Sequence, residues 1–231
     1  MTEDVTATPT PPVGSRDDLW TPAGRLVDRR IRKWQRDLLG DRPSAQAASL
    51  AVLARLRRGA GKPADEVPDI LALTVAAELA GPDAPDAPTR QETAAHHALT
   101  LYALHQQSRT KPMYRMGDSL GRALRRLLGQ NEPSLPPDPI TRRFQILITA
   151  DSFNEFVHHA RGAVQLLRGA QSNAIPLDYG RLADELVQWQ TPGGAAHVRR
   201  KWARDFYRQY RPAPADTSPS DQTDDTDPEG N

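Results

Sequence analysis

The chain contains no cysteine, which excludes disulfides, thiolate metal sites and a cysteine nucleophile. A reducing cytoplasm is the compartment that fits. Nowhere do roughly 18 apolar residues run consecutively, so no membrane span is expected. The opening "MTEDVTATPTPPVGSRDD" lacks the apolar stretch of a secretory signal. There is no Gly-rich phosphate loop, no His-Glu-x-x-His and no Gly-x-Ser-x-Gly, and no nucleophile stands near a credible base. The expectation is a protein that is not an enzyme and needs no cofactor. Aromatics are scarce at 6%. Trp20, Trp34, Trp189, Trp202, Phe206 and Tyr207 mostly fall at core-like helical spacing, leaving few platforms on which bases could stack.

What is abundant is arginine, which supplies 26 of the 30 basic residues. The formal net charge of +1 hides an uneven distribution. Residues 212–231, "PAPADTSPSDQTDDTDPEGN", carry six acidic side chains and no Lys or Arg, and residues 1–18 carry four acidic side chains and one Arg. The body between them, 19–211, holds 29 basic and 19 acidic side chains, a net of +10. A basic body suggests a polyanionic partner.

Both tails are rich in Pro, Ser, Thr and Asp and are expected to be disordered. The body reads as helical almost throughout. Thr21 and Pro22 have the signature of an N-cap and first helical residue, and Gly40 that of a stop. Leu26, Val27, Ile31, Trp34 and Leu38 form the buried stripe of this first helix. A second helix from Ser44 takes its register from Leu50, Leu53 and Leu56. "DILALTVAAELAG" reads as a short buried helix. Thr89 with Glu92, and Ser152 with Glu155, are capping boxes. "ITRRFQILITA" reads as a helix; "FQILITA" alone also fits a buried strand, since periodicity does not separate the two in short runs. The fold expected is all-α, about nine helices, with an N-terminal helical subdomain over 19–131 and a C-terminal one over 132–211. The Pro-rich "NEPSLPPDP" lies at the boundary.

Two histidine pairs, His96–His97 and His158–His159, raise the question of a metal. Adjacent helical residues point about 100° apart, and Glu155-x-x-His158 is the only Glu-x-x-His where di-iron bundles use two. No metal site is expected; helix-surface or interfacial histidines are. The arginines are more informative. In "MGDSLGRALRRLLG", Leu120, Leu124, Leu127 and Leu128 fall within about 100° of one another, and Arg122, Arg125 and Arg126 form a cationic stripe opposite. Arg55, Arg57 and Arg58 end the second helix. Arg142 and Arg143 open "RRFQIL", Arg161 and Arg168 share a helix face, and Arg199, Arg200, Lys201 and Arg204 cluster in the last helix. Arginine forks suit phosphate oxygens, although basic residues late in a helix also complement its dipole.

The ordered segments "LARLRRGAGKPADEVPDI", "MGDSLGRALRRL", "RRFQILITADSFNEFVHHARGAVQLLR", "IPLDYGRLADELVQWQ" and "RKWARDFY" resemble the CasB family, the small subunit of type I-E CRISPR Cascade complexes. The resemblance spans roughly 20–210 and leaves both acidic tails outside. It implies an all-helical, non-enzymatic subunit lying along a guide-RNA-bound surveillance complex. The implied partners are the guide-coating backbone subunits, a second copy of the chain, the CRISPR guide RNA and target DNA, chiefly its displaced strand. Guide pairing supplies sequence specificity, so phosphate grip suffices.

By the same resemblance, Arg57, Arg122, Arg143 and Arg161 are the foremost candidates for nucleic-acid contact. Arg58, Arg125, Arg126 and Arg142 are their neighbours. Arg199, Arg200, Lys201 and Arg204 are assigned to nucleic acid or to a subunit interface. Two alternatives stay open. One is a stand-alone helical DNA-binding regulator, for which "LDYGRLADELVQWQTPGGAAHVRRKWARDF" comes nearest to a helix-turn-helix. The other is a structural spacer whose arginines meet carboxylates of neighbouring subunits.

Overall fold

Local signals place the helix starts. Thr21 Oγ1 accepts from the Gly24 N–H and Pro22 occupies the first turn, opening α1 (Pro22–Leu39). Thr89 and Glu92 close a reciprocal capping box at α4 (Arg90–His105). Ser119 caps α5 (Leu120–Leu128), Asp138 caps α6 (Pro139–Thr149) and Asp178 caps α8 (Tyr179–Trp189). At α7 (Phe153–Gly169) Ser152 caps the Glu155 N–H, but the Glu155 carboxylate reaches back to the N–H of Asp151 rather than of Ser152. With α2 (Pro43–Leu56), the four-residue α3 (Leu71–Thr74) and α9 (Gly194–Tyr207), nine α-helices and no strand lie among the described residues. This computed structural model describes residues 20–129, 137–170 and 174–208. The acidic tails 1–18 and 212–231 and the boundary at 131/132 lie outside them. Among the described residues, no helix is long and apolar enough to cross a membrane.

Helix α4 is the central strut. From Ala94 to His105 every residue is buried, because α1, α2, α7 and α8 pack around it. Helix α8 also lies along α1, and α5 lies against α9. One contiguous apolar core joins all of these. Its aromatic centre stacks Phe156 of α7 against Trp189 of α8 and Trp202 of α9, with ring centroids 4.6 and 5.2 Å from Phe156. Phe144 of α6 stacks on Phe206 of α9 at 4.0 Å. A single parallel bridge, Tyr114 with Leu177, ties the chain before α5 to the chain before α8.

"ITRRFQILITA" is helical as read, with residues 144–149 forming the last turns of α6. Two other expectations change. "DILALTVAAELAG" does not form one buried helix: it breaks into the 3₁₀ turn Pro68–Ile70, α3 and the 3₁₀ turn Ala77–Leu79. Ile70 and Leu79 are buried, but Leu71 and Val75 reach solvent, since so short a segment packs by its ends. In α2, Leu53 and Leu56 are buried while Leu50 is 50% exposed.

Candidate nucleic-acid interface

The end of α2 tightens into a 3₁₀ turn, Arg57–Gly59, pressed onto α4. A Cβ on Gly59 would stand 3.0 Å from Thr100 Cγ2 and 3.3 Å from His96 Cε1, so only glycine allows this approach. The next loop is anchored by a 3.0 Å hydrogen bond between His96 Nε2 and the Lys62 carbonyl. It turns at Gly61, whose φ of +80° is a left-handed conformation that favours glycine. The stem of Arg161, on α7, lies directly across that glycine, with Cδ 2.9 Å from where a Cβ would stand. One residue along α7, the Arg143 guanidinium from α6 lies over Gly162, Nη1 3.4 Å from the corresponding point. Gly61 thus lets the Arg161 stem pass close to the loop, while the Arg143 guanidinium rests at ordinary contact distance from Gly162.

Further along α7, Arg168 donates to Gln107 Oε1 at 2.5 Å and Arg109 donates to the Ala170 carbonyl at 3.1 Å. Both line a cleft of about 440 Å³ with Gln107, Ser108 and Gly169. Ser108 holds a φ of +58°, uncommon for a residue with a side chain. Arg57 feels this cluster: burial, then the neighbouring Arg168 charge, lowers its guanidinium's affinity for its proton. Among the described residues the guanidinium groups of Arg57, Arg143 and Arg161 make no hydrogen bond and no ion pair, and those of Arg109 and Arg168 meet only neutral oxygens. Five guanidinium groups along α7 therefore lack a carboxylate partner within the described fold.

The profile of the CRISPR-associated protein Cse2 family matches residues 52–207, most of the helical body just described. The chain belongs to the Cse2 family. Such proteins are the CasB small subunits of type I-E Cascade that the ordered segments resemble. Among solved structures, CasB from Thermobifida fusca is 39% identical, with 81% of this chain and 99% of that one covered and a TM-score of 0.66. CasB from M. ruber shares the fold at 24% identity and a TM-score of 0.53, covering 81% of this chain and 94% of that one. Comparison with curated proteins returned no match.

In this Cse2-family chain the remaining sequence candidates separate by environment. The stripe on α5 is narrower than expected. Arg125 is only 4% exposed, because α5 is clasped by α6, α7 and α9, so it lies inside the fold rather than on a cationic face. Arg126 pairs with Asp118 at 2.7 Å. The Arg122 side chain is 42% exposed and stands 3.9 Å from Asp205. Asp205 accepts from Ser119 Oγ at 2.5 Å and from Arg181 at 3.0 Å. Arg181 in turn meets Glu185 at 2.9 Å, as does Lys201 at 3.0 Å, while Trp202 Nε1 donates to the other Glu185 oxygen at 2.6 Å. Lys201 and Arg122 thus belong to a network that joins α5, α8 and α9.

Arg199 spans inward, donating to the Ala150 carbonyl and lying 4.9 Å from the Trp189 ring centroid. Arg58 pairs with Asp69 and Arg142 donates to the Pro137 carbonyl at 3.0 Å. Arg200 and Arg204 are exposed on α9. The histidine pair expected at a surface or interface is not there: His96 and His97 are buried, His97 packing against Phe153 at 5.5 Å. Arg109 was not singled out by sequence reasoning. Its signal is the turn "HQQSRT" that brings it back beside α7 from the end of α4.

Proposed function

We propose that this chain is a non-catalytic Cascade subunit that grips the phosphate backbone of the displaced DNA strand in the R-loop, with Arg57, Arg143 and Arg161 as principal contacts. It would work beside the guide-coating subunits, the guide RNA and a second copy of itself. One observation carries the reading: along α7 these guanidinium groups stand without carboxylate partners, whereas Arg122 and Arg126 on α5 have theirs. An arginine already paired must give up its partner to bind phosphate, while an unpaired one exchanges only water and counterions. R-loop opening is nearly balanced, so a few phosphate contacts suffice to hold the strand. The regulator reading is disfavoured because α9, its would-be recognition helix, buries Val198, Trp202 and Phe206.

The test is a reconstituted surveillance complex on a matched duplex, with the R57A/R143A/R161A triple variant against wild type and against R122A. The triple variant should assemble, leave the displaced strand reactive to single-strand chemical probes and reduce the salt slope of R-loop stability by about two, at ~0.7 per single-strand phosphate contact. R122A should have a smaller effect. Failure of the triple variant to assemble would make these arginines subunit interface and the chain a structural spacer.

A further inference from the structure

We propose that the acidic segment 212–231 of this same chain seats on the α7 arginine face as an internal polyanion, so that nucleic acid must displace it. The inference rests on the phosphate-grip reading of that face and adds an occupant for it when no strand is bound.

Charge complementarity selects the occupant. Segment 212–231 has six carboxylates and no cation, whereas Arg57, Arg143, Arg161 and Arg168 have no carboxylate partner among the described residues. Continuity of the chain selects the seat. The described chain ends at Arg208, just after Phe206 and Tyr207 pack on Phe144 of α6. Phe144 is the residue after Arg143, whose guanidinium reaches α7. The described chain therefore ends beside α6, the helix whose Arg143 reaches α7. Asp216 follows Arg208 by eight residues, a contour of about 27 Å, and five further carboxylates extend the reach along α7. The 17 residues of α7 span only about 25 Å. Tethering makes the encounter intramolecular, at an effective concentration on the order of millimolar. A displaced strand, held close because its complement is paired with the guide, outcompetes such a ligand, while stray single strands do not.

The competing seat is Arg200 and Arg204, exposed on α9 itself, and the experiment separates the two. Because the chain has no cysteine, Ser220→Cys provides a unique site for a nitroxide on the full-length protein. At 50 mM salt the label should broaden the backbone amide signals around Gly61, Arg143 and Arg161. The broadening should vanish at about 0.5 M salt and on neutralising the tail (D216N/D221N/D224N/D225N/D227N/E229Q). Broadening confined to α9 around Arg200 and Arg204, or none, overturns the proposal.

In parallel, the neutralised tail should raise affinity for a dT oligonucleotide about tenfold at low salt, a gain abolished in the R57A/R143A/R161A background and kept in R200A/R204A. A gain that persists without the three arginines reports overall charge and overturns the proposal. Nitroxide contacts at α7 with no oligonucleotide binding by any variant uphold the seat and overturn the phosphate-grip reading instead.

Discussion

At the scale of single residues, the buried histidines set the response to acid. His97 and His105 are held neutral by burial, which lowers each pKa from the ordinary value to about 3. His96 is lowered in the same direction, its burial only partly offset by the bond to the Lys62 carbonyl. A histidine whose folded pKa is depressed gives its full stabilisation above about pH 6.5, and this is lost as pH falls towards the folded value. Asp184 works the other way. Burial raises it to about 6 despite hydrogen bonds from the Thr21 N–H and Oγ1. Its protonated form is therefore favoured by folding, and its contribution falls as pH rises from about 4 to about 6. Between pH 6.5 and 5 His97 and His105 each cost about 2 kcal/mol, so the histidines dominate. His97→Leu should shrink the loss of stability between pH 7.5 and 5, measured by urea unfolding, by about 2 kcal/mol; an undiminished loss would remove His97 as a source. None of this was legible in "AAHHAL", because histidine types alone do not report that four helices surround α4.

At the scale of elements, caps and stripes were legible and close contacts were not. Thr21, Thr89 and Ser152 act where their spacing indicated, since capping is local chemistry. The role of Gly121 in "SLGRAL" was hidden. A Cβ there would overlap the Trp202 carbonyl oxygen and lie 3.2 Å from Asp205 Cβ, so α5 approaches α9 backbone to side-chain stub. Gly121→Ala improves helix propensity yet should destabilise by about 1–3 kcal/mol through overpacking. That corresponds to a fall in melting temperature of roughly 3–10 °C for a chain of this size. A melting temperature at or above wild type would show that α5 shifts without cost. The same glycine explains why Arg122 finds Asp205: close approach brings the α5 guanidinium within reach of α9.

At the scale of the whole molecule, charge balance was legible as a total and misleading in its parts. The +10 body does not present its cations uniformly; about half of the sequence candidates turn inward or pair with carboxylates, as Arg125, Arg126 and Lys201 do. Periodicity on one helix cannot show which neighbour brings a carboxylate, so only the folded arrangement singles out α7. A multivalent anion that binds the folded face should stabilise the protein by mass action. Sulfate in place of chloride at equal ionic strength should raise the wild-type melting temperature by a few degrees more than that of R57A/R143A/R161A, the variant correcting for sulfate's general salting effect. Equal increments would mean that the face holds no anion.

The way α8 lies between α1 and α4 also bears on how the protein is made. The faces of α1 and α4 that pack on the helix from Tyr179 to Trp189 are covered only once that helix has docked. A ribosome adds about 5–20 residues per second. Between completing α4 at His105 and completing α8 at Trp189 it must therefore work for several seconds to about a quarter of a minute. During that interval the first four helices emerge with their apolar faces waiting for a partner still being translated.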